Sequence, residues 1–143
     1  MTRAAVVEAV IDPQVLIATV ADAANGATAV FLGTVRSSND GREVTGIEYS
    51  AYREMAESEM GLILEEASDR FGVANAAIVH RIGTLAVGDV SIAVATASPH
   101  RRPAMDALHY IVEAAKSRAP IWKLEHYADG TREWVGASSS SGV

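Results

Sequence analysis

The stretch Ser98–His126, SPHRRPAMDALHYIVEAAKSRAPIWKLEH, is the one from which the rest of the chain can be read. Pro103 suits the first turn of a helix, where its missing N–H costs nothing. From there Ala104, Ala107, Leu108, Ile111 and Ala115 recur at helical spacing as one apolar stripe. Met105, Val112 and Lys116 follow the edge of that stripe, which puts Lys116 where core meets solvent. Pro120 cannot continue the helix and pushes Ala119 towards an extended conformation. IWKLEHY then alternates as a strand does and carries a second lysine, Lys123. His100 and Arg101 precede the helix, whereas Lys116 and Lys123 lie at or past its end. A strand returning beside the helix start would gather all four.

Working outward, the same order of elements recurs. MTRAAVVEAVI is a short apolar lead-in with the character of an edge strand. Asp12-Pro13 reads as N-cap and first helical residue of a helix through Val15, Leu16, Thr19, Val20 and Ala23, with Gly26 where a C-terminal cap is expected. Ala27–Arg36, ATAVFLGTVR, has the length and β-formers of a central strand. After the turn-rich, mobile loop SSNDG, residues Arg42–Tyr52 form a second strand, and the two are expected to pair as an antiparallel hairpin. A second helix is predicted from Arg53 to Phe71, burying Ala56, Met60, Ile63, Leu64, Ala67 and Phe71 and stopping at Gly72. Strands at Ala76–Ile82 and Val90–Ala97 lead to the helix described first. IWKLEHY, a turn at Asp129-Gly130 and REWV close the chain as a hairpin. Helix, strand, strand, three times over, predicts an α+β domain with three helices and a mainly antiparallel sheet. One domain over residues 1–136 and a disordered Ser-rich tail over 137–143 are expected.

Composition narrows the function. A chain of 143 residues suits a single domain with a real core. A net charge of −6 argues against a general nucleic-acid or membrane-surface binder, so a local cationic pocket points to a small anion. Without cysteine there is no disulfide, thiolate metal site or cysteine nucleophile, and four scattered histidines make no zinc spacing. No cofactor is implied. No apolar run approaches a membrane span and no signal peptide is visible, so the expected location is the cytoplasm.

Chemistry must then run on Lys, Arg and His. Lys116 and Lys123 admit two accounts. Each is an ordinary lysine snorkelling over apolar neighbours, or each is a partly buried base, nucleophile or anion clamp with a lowered pKa. Lys123 shares a strand face with Ile121, which is the ground for the second. His100, Arg101 and Arg102 enter a helix whose positive end disfavours cations; an anion bound there, with the free backbone N–H groups, would reconcile the cluster. His100 can also transfer protons near neutral pH. Arg36 either reaches an anion or closes a salt bridge at a hairpin end. His80-Arg81 lies within a strand and reads as structural, and His109 as solvated.

Taken together, FLGTVR with its N-D-G loop, IEYSAYREMA, HRIGTLAVGD, SPHRRPAMDALHYIVEAAKSRAPIWKLE and DGTREWV closely resemble the catalytic subunit family of molybdopterin synthase, over Ala27–Val135. The resemblance implies an α/β-hammerhead-like fold and a homodimer that binds a small ubiquitin-like subunit at each end, giving a heterotetramer. The partner's C-terminal Gly-Gly thiocarboxylate would supply sulfur to cyclic pyranopterin monophosphate (precursor Z), building the dithiolene of molybdopterin. By motif it implies Lys116, Lys123 and His100 as catalytic residues. Arg36, His100, Arg101, Lys116 and Lys123 would bind substrate, and no metal is needed. Arg36, Arg101 and His100 suit the phosphate and pterin, and the two lysines the thiocarboxylate. One departure stands out: family members often carry an arginine after W-V that reaches the neighbouring subunit, whereas GASSSSGV has no basic residue. Either Arg132 takes that part or the contribution across the dimer is absent. The alternatives are a non-catalytic module docking a ubiquitin-like tail, and a phosphate- or nucleotide-binding regulator.

Overall fold

The computed structural model describes residues 2–135. The expectation of a disordered tail lies outside those residues. In order, the chain forms β1 (Thr2–Val7), α1 (Pro13–Val20), β2 (Ala27–Thr34), β3 (Ser38–Asn39), β4 (Arg42–Ala51), α2 (Arg53–Phe71), β5 (Asn75–Arg81), β6 (Gly83–Ala86), β7 (Val90–Ser98), α3 (Arg101–Arg118), β8 (Ile121–Tyr127) and β9 (Arg132–Val135). The architecture is α+β with three helices, and every strand pairing is antiparallel except that of β1 with β5.

The strands divide into two sheets rather than one. The first has the order β1-β5-β7-β2, with α2 and α3 on one face and α1 on the other. Burial on both faces explains the near-continuous apolar runs of β5 and β7. Ala76, Ile78, Ile92 and Val94 join the core under α2 and α3, while Ala77, Val79, Ala93, Ala95 and Ala97 pack with Leu16 and Val20 of α1. Small alanines on that second face let a short helix sit close. The second sheet has the order β3-β4-β8-β9, with β6 also pairing β4.

Both long helices follow their sequence patterns. α2 buries Ala56, Met60, Ile63, Leu64 and Ala67 and ends at Gly72, whose φ of 69° is the left-handed cap that glycine adopts without strain. α3 buries Ala104, Ala107, Ile111, Val112 and Ala115, with Leu108 packed at the margin. Thr96 of β7 donates to the Ala104 carbonyl at 2.7 Å and fixes the helix on the sheet.

Four expectations need correction. α1 ends at Val20, because Ala21 turns extended (φ −65°, ψ 138°). Gly26 caps nothing: a Cβ there would lie 3.0 Å from the Pro99 carbonyl, so close backbone approach is its reason. β2 is an edge strand, and it pairs with β7 rather than β4. Its alternation, with Val30 and Leu32 exposed, is what a one-sided edge tolerates. The SSNDG segment is not a free loop. Asp40 and Gly41, both at positive φ, form the two-residue turn of a β3–β4 hairpin that places Asn39 opposite Arg42.

Candidate functional site

The pocket forms where β2 stops. A bulge after Gly33 leaves Thr34, opposite Val90, as its last pair with β7, and Val35 exchanges hydrogen bonds with the β6–β7 turn, donating to Asp89 O and accepting from Gly88 N. Bulges re-aim the following side chains. Val35 turns into the core and Arg36 onto the rim of a cleft of about 250 Å³ that opens to solvent. Thr34, Ser38, Asn39, Lys123 and Glu125 share its lining.

Lys123 comes from the inward face of β8, in the alternation Ile121, Lys123, Glu125, Tyr127. Cross-strand pairing sets it beside Tyr49 of β4 and Val135 of β9. Its side chain is 8% exposed, and Nζ lies 3.5 Å from Oε1 of Glu125, which is 2% exposed. Burial pushes the Lys123 pKa down, Glu125 pulls it back up, and the charges of Arg36 and Lys116 push it down further. Lys116, half-buried in the last turn of α3, has Nζ 5.9 Å from the centre of the Phe31 ring on β2. Arg36, Lys116 and Lys123 therefore meet at one place, drawn from three elements.

His100 and Arg101 do not join them within one chain. β8 begins directly after α3 and leaves along β4, so Lys123 stays at the C-terminal end of the helix. His100 is the N-cap residue, without a side-chain capping bond, and Arg101 opens the helix; both are exposed. Sixteen residues of helical rise separate His100 from Lys116, about 24 Å. His80 is structural, as its strand position implied. It is buried, donates from Nδ1 to the Arg81 carbonyl at 2.8 Å and meets the Tyr49 ring edge-on. His109 is exposed.

Sequence reasoning missed Glu125 and Asn39. Glu125 accepts from Asn39 Nδ2, 3.0 Å from each carboxylate oxygen, and from the Tyr127 hydroxyl at 3.1 Å. The signal was present: a glutamate two residues after Lys123 on an otherwise apolar strand face must be buried with it. A second signal lies in the counts, since only two of the twelve Lys and Arg residues are lysines: one lines the cleft and the charge of the other acts on it. Among the described residues no group of His, Asp and Glu has the arrangement to hold a metal ion.

Fold and pocket together define a class: an α+β protein that sets a buried lysine beside a carboxylate, with a second lysine and an arginine acting on it. A family model described as MoaE protein matches residues 6–118. The molybdopterin synthase catalytic subunit of Pyrococcus abyssi is 46% identical over 114 residues, covering 80% of this chain and 77% of that protein. That of a Nostoc species is 42% identical over 124 residues, covering 85% and 75%. The crystal structure of molybdopterin synthase from Staphylococcus aureus superposes with a TM-score of 0.89 at 34% identity, covering 93% of this chain and 96% of that one. A chain from the complex of subunits 1 and 2 of molybdopterin-converting factor of Helicobacter pylori shares the fold, with a TM-score of 0.72 at 21% identity and coverage of 96% and 92%. The chain belongs to the MoaE family, that of the catalytic subunits of molybdopterin synthase.

Proposed function

We propose that the protein transfers sulfur from the C-terminal thiocarboxylate of a small ubiquitin-like subunit to cyclic pyranopterin monophosphate, forming the dithiolene of molybdopterin. The observation that carries this reading is the buried Lys123, with Glu125 3.5 Å from its Nζ and the charges of Arg36 and Lys116 acting on it. Two negative groups must enter the site, the phosphate of the precursor and the thiocarboxylate of the partner tail. Three convergent cations suit that load, and in a partly desolvated cleft each is worth more than in water. Lys123 and Lys116 are assigned to the thiocarboxylate and to the charge that develops as sulfur adds and the acyl group leaves. Arg36 is assigned to the phosphate side.

His100 and Arg101 enter this reading only through a second copy of the chain, because one helix holds them about 24 Å from Lys116. A homodimer in which each protomer lends its α3 N-terminus to the other's pocket, with one small subunit at each end, satisfies that requirement. Arg132, exposed on β9, is the remaining basic residue near the chain's end for a contribution across the dimer. The reading takes residues 1–136 as the catalytic domain and places the protein in the cytoplasm; no helix among the described residues is long and apolar enough to cross a membrane.

The test is Lys123→Ala, assayed with the thiocarboxylated partner. Loss of turnover is expected. Full turnover would remove Lys123 from the chemistry. Retained docking of a Gly-Gly tail by a wild-type protein that never turns over would favour a binding module instead.

A further inference from the structure

Glu125 is a carboxylate buried almost completely beside the lysine on which the proposed reaction depends, and what holds it comes from elsewhere in the chain. Asn39, 86 positions earlier, directs its Nδ2 at both carboxylate oxygens, 3.0 Å from each. Asn39 is itself held. It opens the two-residue Asp40-Gly41 turn and pairs across it with Arg42. Arg42 in turn donates to Glu133 and Thr131, each at 2.6 Å, and lies 3.5 Å from the centre of the Tyr127 ring. Tyr127 is the second donor to Glu125. One short hairpin thus steadies both groups that aim this carboxylate.

We propose that Asn39 is a positioning residue of the sulfur-transfer site: it holds the Glu125 carboxylate against Lys123 and so sets the charge with which Lys123 meets its substrate. This rests on the role given to Lys123 above. The groups around Lys123 are Glu125 on its own strand, Tyr49 across on β4, Arg36 after β2 and Lys116 on α3. Glu125 is the one anion among them. Released from Asn39, it can turn from Nζ and leave Lys123 facing two cations in a buried place, where the neutral amine is favoured. With Asn39 intact, Lys123 keeps its proton, and the site keeps its third positive charge, to higher pH.

The experiment reads Lys123 directly and needs no substrate. Protein labelled with 13C-lysine shows two side-chain signals, assigned by Lys116→Arg, and the Lys123 13Cε shift is followed against pH. Asn39→Ala is expected to move the Lys123 titration to lower pH, as is Glu125→Gln. Asn39→Ala in the Glu125→Gln background is expected to add no further shift, since Asn39 acts through that carboxylate. An unmoved titration in Asn39→Ala overturns the proposal, and so does an equal shift in the Glu125→Gln background. Asn39→Leu, close in size and unable to donate, serves if the alanine variant does not fold. Because the readout is a titration, failure of sulfur transfer and failure of this assignment are told apart: the first shows in turnover, the second here.

Discussion

His80 makes the fold sensitive to mild acid. Its ring is 8% exposed, packed edge-on against Tyr49 at 5.0 Å, and its Nδ1–H is committed to the Arg81 carbonyl. Burial drives its pKa down from 6.5 to about 4, with the Arg81 hydrogen bond opposing. The folded pKa lies below the unfolded one, so the unfolded chain binds more protons between those values. Stability is then fully present above pH 6.5 and lost as the pH falls towards 4. Between pH 7 and pH 5 this one group is expected to remove about 2 kcal/mol. With a urea m-value of about 2 kcal/mol/M, the midpoint should fall by about 1 M. His80→Gln cannot titrate. Its absolute stability at pH 7 should be lower, but its midpoint should move much less between the two pH values. The other histidines are common to both proteins and cancel in the comparison. Midpoints that shift in parallel, within about 0.2 M, would refute a buried neutral His80.

Four substitutions test the packing. Gly26→Ala sets a methyl 3.0 Å from the Pro99 carbonyl and should cost about 1–3 kcal/mol in urea unfolding, although the site is exposed. Thr96→Val keeps the shape but drops the 2.7 Å bond to Ala104 O, and a loss of about 1 kcal/mol is expected. Met60→Ala should cost about 2–5 kcal/mol because Met60 is fully buried between α2 and the sheet. Leu62→Ala, two residues on and 48% exposed, should stay within about 0.5 kcal/mol. Equal effects at Met60 and Leu62 would contradict the burial described for α2.

How far the sequence could be read depended on how local each signal was. α2 was legible to its last residue because its stripe runs at one period and Gly72 supplies the left-handed cap. α3 was legible from Pro103 and Pro120 as punctuation. The partner of β2 was not legible: β7 lies far along the chain, and a run such as ATAVFLGT fits an edge or a centre equally well until its neighbours are placed. Nothing local marks the split into two sheets. The burial of Lys123 followed from the alternation of IWKLEHY, yet the same alternation puts Glu125 beside it, and only the glutamate's ordinary surface habit hid that. Asn39 was hidden by its turn-forming neighbours, since N-D-G is first of all a hairpin turn. His100 stands before α3 as its N-cap, whereas Arg101 is already its first residue; the length of that helix keeps both from Lys116.

The most direct test of the proposed activity is reconstitution. The protein is combined with a thiocarboxylated small subunit and cyclic pyranopterin monophosphate, and dithiolene-containing molybdopterin is assayed. Product that requires all three components is the expected result. A stable complex with bound precursor that yields no molybdopterin would contradict sulfur transfer at the Lys123 site.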